Sequence, residues 1–222
     1  MAKNFISNKD QTERMFSNNL LEGLSRIHFS VPLFIYIPVI IYFIFQSFRI
    51  HGLGFQNFFV FTILGICVWT FTEYMLHRFV FHWKAPGKIG ARIHFIFHGV
   101  HHDFPSDSKR LVMVPTVSIP LAILFYFLFR ALLGPINVAP FFVGFLSGYL
   151  FYDMTHYAIH HYNFKSKFWL KLKQHHMLHH YQDMHNGFGV SSAFWDLVFK
   201  TTFNRKKGSA REPEHSGNSS MN

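Results

Sequence analysis

The sequence predicts an all-α integral membrane protein: four transmembrane helices in two hairpins, with a helical cap on the cytoplasmic side. Three observations carry this expectation. Half of the 222 residues are apolar and only 14% are charged, against roughly 25% in soluble domains. The apolar residues gather in long uncharged runs, as they must where lipid is the solvent. The 21 Lys and Arg residues, which leave a net charge of +10, lie almost wholly on one side of those runs.

Residues 1–27 are polar and mixed in charge. They lack a short apolar core followed by a small-residue cleavage site, so they read as a lead-in and not as a signal peptide. Met15, Phe16, Leu20, Leu21 and Leu24 fall near helical spacing, which predicts an interfacial helix lying on the bilayer. Two uncharged runs follow, at 29–48 ("FSVPLFIYIPVIIYFIFQSF") and 53–72 ("LGFQNFFVFTILGICVWTFT"). Each has the roughly 20 residues that cross a hydrocarbon core. A polar stretch with short helices is expected at 77–110. From Leu111 to Tyr152 the single charge is Arg130, and that stretch accommodates two spans divided at "GPINVAP" (134–140). In the last of them, "GFLSG" at 144–148 sets small residues four apart, which permits close helix packing. Cys67, the one cysteine, falls inside a span and reads as a small packing residue. The membrane domain is expected over 28–203, and the polar, basic end (204–222) is expected to be disordered.

With four spans, the N-terminus, the 77–110 stretch and the C-terminal region share one side. All but Arg49 and Arg130 of the 21 basic residues lie there, so the positive-inside rule makes that side, with both termini, cytoplasmic. The membrane would be the endoplasmic reticulum in a eukaryote and the cytoplasmic membrane in a bacterium. The positive charge does not point to nucleic acid, because no recognition module accompanies it.

The 17 histidines are the unusual feature. His28, His51 and His215 are isolated. The other fourteen form four groups: "HRFVFH" (77–82), "HFIFHGVHH" (94–102), "HYAIHH" (156–161) and "HHMLHHYQDMH" (175–185). Residues three or four apart share a helix face. His98, His101 and His102 are therefore expected to point one way, His176, His179 and His180 likewise, and His156 and His160 sit four apart at the end of the last span. His77 and His82 are five apart, so they converge only if the chain bends or unwinds after the second span. Clustered imidazolium ions would repel one another, whereas a divalent metal binds the neutral ring and displaces its proton. One zinc takes three or four ligands; this many histidines suit two ions, and imidazole suits iron as well as zinc. Such ligands are neutral, so nearby carboxylates matter. Glu73, four residues before His77, and Asp153, three before His156, are expected to orient imidazoles or balance the charge of the ions.

The segments "EYMLHRFVFH" (73–82), "HFIFHGVHHDFPSDSKRLVMVP" (94–115), "GYLFYDMTHYAIHH" (148–161) and "HHMLHHYQDMHNGFGVSSAFWDLVF" (175–199) together resemble the fatty acid hydroxylase/sterol desaturase superfamily of membrane di-metal oxygenases, and most of all its fatty acid 2-hydroxylase branch, which acts on sphingolipid acyl chains. The resemblance implies metal ligands at His77, His82, His98, His101, His102, His156, His160, His176, His179 and His180. His94, His161, His175 and His185 are then supporting or surface residues. It implies two iron ions in the working enzyme, with zinc able to replace them on purification. It implies a monooxygenase that uses O2 and externally supplied electrons to hydroxylate C2 of a fatty acid or ceramide N-acyl chain drawn from the bilayer. The electrons would come from a separate b-type cytochrome or a ferredoxin with its reductase, docked on the basic surface. In the branch, "GFGVSS" (187–192) accompanies Trp195 and Asp196, and Gly187 and Gly189 would let the backbone turn tightly beneath the site. The rival readings are a carotenoid or sterol oxygenase of the same superfamily and, from another class, a metal transporter.

Overall fold

The computed structural model describes residues 5–83 and 86–203. The expected disordered end, 204–222, lies outside the described residues, as does His215. All regular structure among the described residues is helical. In chain order the α-helices are α1 (Asn19–Leu24), α2 (Val31–Phe45), α3 (Phe55–Met75), α4 (Gly87–His94), α5 (Val100–Asp103), α6 (Pro115–His161), α7 (Lys167–Tyr181) and α8 (Phe194–Val198). Three wider, π-helical turns extend α2 through Ile50 and α3 through Phe81, and join α4 to α5 over Phe95–Gly99.

Three helical stretches are long and apolar enough to cross a membrane: Val31–Ile50, Phe55–Phe81 and Pro115–His161. Their outward faces carry Phe34, Ile41, Phe59, Ile63, Leu124, Phe127 and Leu132, all more than half exposed. A helix apolar on every side needs an apolar solvent. The third stretch is 47 residues long but not straight. At Gly134 the backbone leaves the helix, with φ 76° and ψ 171°. The rings of Phe129 and Phe141 lie 4.6 Å apart, those of Tyr126 and Phe142 5.4 Å, and those of Phe125 and Phe145 5.1 Å. On one straight helix Phe125 and Phe145 would be separated by about 30 Å. The chain therefore reverses on itself at Gly134, within the "GPINVAP" turn signal.

The core is largely aromatic. Tyr36, Phe43, Trp69, Phe129, Phe142, Phe145 and Tyr149 are buried where α2, α3 and the two arms of α6 meet. Two glycines set how closely α3 approaches the second arm of α6. A Cβ at Gly144 would stand 1.9 Å from the Thr62 carbonyl oxygen, and one at Gly65 would stand 2.0 Å from that of Phe141. Gly148, the other small residue of "GFLSG", receives the side chain of Trp69. Cys67 faces outward from α3 and is not a packing residue of this seam.

Residues 5–27 do not stand apart from this body. The amides of Ile6 and Ser7 donate to the Asp103 carbonyl, Thr12 donates to Asp107 at 2.7 Å, and Met15 packs on Val100 and Phe104. The buried Glu22 carboxylate accepts the Met15 and Phe16 amides, each at 2.9 Å, and pairs with Arg26 and with Arg110, the latter at 2.7 Å. The lead-in is thus a strap tied across the 100–110 segment.

The glycine seam gives a direct test. Gly144→Leu forces α3 off α6 and should destabilise the detergent-solubilised protein by about 3 kcal/mol, the upper end of overpacking costs. Gly23→Ala, where a Cβ meets nothing within 4 Å, should leave thermal unfolding unchanged. Equal melting of Gly144→Leu and the parent chain would refute the seam.

Candidate metal centre

The gathering of the histidines turns on how helix ends meet. α3 and α6 each end in histidines, and α5 and α7 lie across those ends. The ten histidines singled out above fall into two groups of five. One holds His77, His82, His98, His102 and His179; the other holds His101, His156, His160, His176 and His180. Within each group one nitrogen per ring lies within 4.8 Å of all the others.

His77 and His82 converge because α3 does not end as an α-helix. Over Leu76–Phe81 it widens to a π-helix, and the His82 amide donates to the His77 carbonyl at 3.2 Å. A bond from residue i+5 to i puts those two residues on one face, and their Nε2 atoms come to 3.3 Å. The trios divide, contrary to the expectation that each points one way. His98 and His102, four apart, serve the first group, while His101 serves the second. His176 and His180 serve the second, while His179 crosses to the first. Successive helix positions differ by about 100°, so adjacent residues such as His101 and His102 straddle a ridge and look into different hollows. Each group therefore receives a pair from one crossing helix, a single ring from the other, and a pair from the end of α3 or α6. The groups abut where the His102 ring stacks on that of His180, centroids 4.3 Å apart.

The facing atoms are Nε2. His77 and His98 approach to 3.0 Å, His179 and His82 to 3.0 Å, His156 and His101 to 2.9 Å, His176 and His160 to 3.0 Å, and His180 and His176 to 3.0 Å. Two nitrogens about 2.1 Å from a shared cation and at right angles around it stand about 3 Å apart. Two of the tautomers are decided by neighbours. His77 Nδ1 meets the Phe188 carbonyl, and His179 Nδ1 meets that of Asn186 at 2.7 Å. A carbonyl oxygen can only accept, so both Nδ1 atoms carry the proton and both Nε2 atoms turn a lone pair inward. His102 is buried and, among the described residues, has no hydrogen-bond partner at either nitrogen. Burial first, then neighbouring imidazoles, pushes His98, His101, His102, His176 and His180 well below the ordinary imidazole value. Burial brings His179 to about 4, against the opposing pull of the Asn186 carbonyl. These rings are neutral donors at pH 7. An all-nitrogen donor set of this kind fits a first-row transition metal and does not fit Mg or Ca, which require oxygen.

The remaining histidines lie outside both groups. His175 Nε2 donates to Asp196 at 3.0 Å. His161 rests against the Tyr157 ring, His185 follows Asp183 in a turn, and the His94 ring stands 6.5 Å from that of His82. Among the described residues neither expected carboxylate touches an imidazole. Glu73 accepts the Val190 and Ser191 amides at 2.8 and 2.9 Å, and the Ser191 hydroxyl. Asp153 accepts the Met113 amide at 3.1 Å and the Tyr149 hydroxyl at 3.0 Å.

Sequence reasoning gave no role to Asp196, which the structure makes the anchor of the 187–201 loop. It is fully buried and accepts the Phe188 amide (2.9 Å), the Gly189 amide (2.8 Å), the Thr201 hydroxyl (2.7 Å) and His175. Burial would raise its pKa, but these donors outweigh that and hold it below the usual carboxylate value. Its support is therefore present at neutral pH and lost as pH falls through the carboxylate range. Gly187, at φ 74°, makes the turn that brings the Asn186 and Phe188 carbonyls to the two rings. The only sequence signal was the presence of Asp196 beside "GFGVSS". Asp196→Ala leaves two buried amides unpaired and should cost roughly 2–5 kcal/mol in chemical or thermal unfolding; a change under about 0.5 kcal/mol would contradict the anchoring role.

A cavity of about 250 Å³ opens beside the groups. Its walls reach from Met15, Phe16, Leu21 and Leu24 of the strap, through Val112, Met113 and Val117, to Phe81 and Tyr152. His98 of one group and His101 and His156 of the other form part of its lining.

Known proteins share this plan. The family model for fatty acid hydroxylase matches residues 62–201. The chain is 36% identical to the dihydroceramide fatty acyl 2-hydroxylase of Arabidopsis thaliana, over 85% of this chain and 79% of that one. It is 36% identical to the fatty acid 2-hydroxylase of Mus musculus, over 85% and 56% of the two chains, and 40% identical to the ceramide very long chain fatty acid hydroxylase of Saccharomyces cerevisiae, over 82% and 48%. It therefore spans about half the length of the mouse and yeast relatives. A solved structure of full-length scs7p, in which only the hydroxylase domain is visible, superposes with a TM-score of 0.77 at 40% identity, covering 84% of this chain and 70% of that one. Built on the same helical frame and matched over the stretch that carries all ten grouped histidines, the chain belongs to the fatty acid hydroxylase family.

Proposed function

We propose that the chain is a membrane monooxygenase that hydroxylates C2 of a lipid acyl chain, with the N-acyl chain of a ceramide or dihydroceramide as the favoured substrate class. The observation that carries this reading is the position of the two histidine groups, side by side at the wall of a cavity that is otherwise mostly apolar. His77, His82, His98, His102 and His179 would hold one metal ion, and His101, His156, His160, His176 and His180 a second. Bound iron would supply the reduction of O2 and the oxidation of the C–H bond, chemistry that no side chain provides.

The chain's own residues do the rest. The Phe188 and Asn186 carbonyls fix the rings of His77 and His179, a support of the kind that tunes metal sites. Glu73 and Asp196 act one step further out, since both hold the loop that carries those carbonyls. Asp153 braces the start of the cavity wall at Met113. The apolar walls would take the acyl chain and keep water from the reacting carbon. Residues 28–203 make up the hydroxylase domain. Four spans in two hairpins fit the reversal of α6 at Gly134 and the one-sided basic charge, and put both termini and the histidine groups on the cytoplasmic side. A separate b-type cytochrome, or a ferredoxin with its reductase, would deliver the electrons there.

Two measurements test this. Metal analysis of the purified protein should give about two ions per chain, and His176→Ala should lower that number together with activity; unchanged metal content in His176→Ala would remove that group from the reading. Expression in a host lacking 2-hydroxylated sphingolipids should produce 2-hydroxy acyl chains by lipid mass spectrometry. Their absence with O2, iron and an electron donor present would overturn the proposed substrate.

A further inference from the structure

The first half of α7 and the turn before it carry a basic and aromatic surface. Lys165, Lys167, Lys171 and Lys173 fall within nine residues, and no Asp or Glu occurs between Asp153 and Asp183. Lys173 is engaged: it donates to the Tyr162 carbonyl at 2.8 Å, at the end of α6. Lys165, Lys167 and Lys171 are exposed, and among the described residues none of the three pairs with a carboxylate. Apolar side chains stand between them. Phe168 is more than half exposed and Leu170 nearly half. The half-buried Trp169 has its ring 5.2 Å from that of Phe168 and 5.4 Å from that of Phe164.

The Trp169 ring also lies 6.1 Å from that of Phe151. Phe151 is itself nearly half exposed, on a stretch long and apolar enough to cross a membrane. It precedes His161, the end of α6, by ten residues, roughly 15 Å of helix. After the turn at 162–166, α7 therefore starts back alongside α6, against a side that faces lipid, before its second half crosses to the histidine groups. We propose that residues 164–171 bind anionic phospholipid. Lys165, Lys167 and Lys171 meet the headgroup phosphates, and Phe168, Trp169 and Leu170 enter the acyl boundary beneath them. A lysine can lay its stem on apolar surface while its ammonium stays at the headgroups, tryptophan favours that depth, and anionic lipid attracts each basic side chain placed there. Charge alone would suit an acidic protein equally well; the exposed Phe168 and Leu170, and the continuity through Trp169 to Phe151, favour lipid. The contact has a consequence for the metal centre. α7 gives His179 to one group and His176 and His180 to the other, so headgroups held at its start set the depth at which those rings meet the ends of α3 and α6.

The test measures lipid selectivity directly. The full chain is reconstituted in phosphatidylcholine bilayers containing a trace of spin-labelled phosphatidylglycerol or spin-labelled phosphatidylcholine, and the immobilised fraction of each label gives their relative affinity. The parent should prefer phosphatidylglycerol, and the preference should shrink as salt is added. The triple variant Lys165→Gln/Lys167→Gln/Lys171→Gln should lower the preference by at least about fivefold, the effect of one lysine beside an anionic surface, while Lys165→Arg/Lys167→Arg/Lys171→Arg keeps it. Lys9→Gln/Lys88→Gln/Lys109→Gln, which removes the same charge elsewhere, should leave it unchanged. A parent without the preference overturns the proposal. So does an equal loss in the two glutamine variants, which would make the effect one of net charge. Unchanged selectivity in the first variant, with slower reduction by an acidic b-type cytochrome, would assign the surface to a protein partner and overturn it too. None of these readouts depends on which lipid the chain hydroxylates.

Discussion

An imidazole whose Nδ1 proton is held by a carbonyl oxygen turns a lone pair, and no hydrogen, out of its other nitrogen. His77 and His179 are held in this way by Phe188 and Asn186, and their Nε2 atoms face those of His98 and His82 at 3.0 Å. Where the facing ring also carries its proton on Nδ1, lone pairs brought so close repel unless something positive lies between them. Protonation is opposed by burial and by the neighbouring rings. Bound metal, as proposed above, would resolve the conflict, and the rest of the protein is arranged so that the imidazoles cannot move apart.

That arrangement is made at three levels. The glycine seam between α3 and α6 sets their separation, and with it the distance between the histidines at their ends. α5 and α7 lie across those ends and give rings to both groups. The 187–201 loop then locks individual rings, and it is itself held by two buried carboxylates, Glu73 and Asp196. The strap over 5–27 adds the outer wall of the cavity through Met15, Phe16, Leu21 and Leu24, and the Glu22 carboxylate ties it down. One consequence is that residues remote in sequence shape the same space as the histidines.

A lipid-modifying site has a particular problem of register. Apolar walls give affinity in proportion to area and are indifferent to a shift of one methylene. Selectivity for one carbon needs a directional contact near the reacting end.

Much of this was legible in the residues. Uncharged runs of 20 residues and more read as long apolar helices because backbone and side chains in lipid leave no other choice. Histidines at spacings of three and four read as ligand pairs because helix geometry is local. Other features were not legible. His77 and His82, five apart, converge only through a π-turn whose hydrogen bond leaves no mark in composition. The division of His98, His101 and His102 between two groups depends on which hollow each ring faces, and so on where α3, α6 and α7 lie. Glu73 and Asp153 looked like partners of the nearest histidines, but they point elsewhere, to 190–191 and to Met113. Asp196 offered no more than its place beside "GFGVSS". The sequence by itself determined the lipid-adapted helices, because they follow from residue type, and it offered the ten rings through the resemblance to a known family, with helical spacing pairing most of them. Only the tertiary structure decided which rings share a centre, what holds them and what opens onto the cavity, because those depend on distances between segments more than 100 residues apart, such as His77 and Phe188 at a separation of 111.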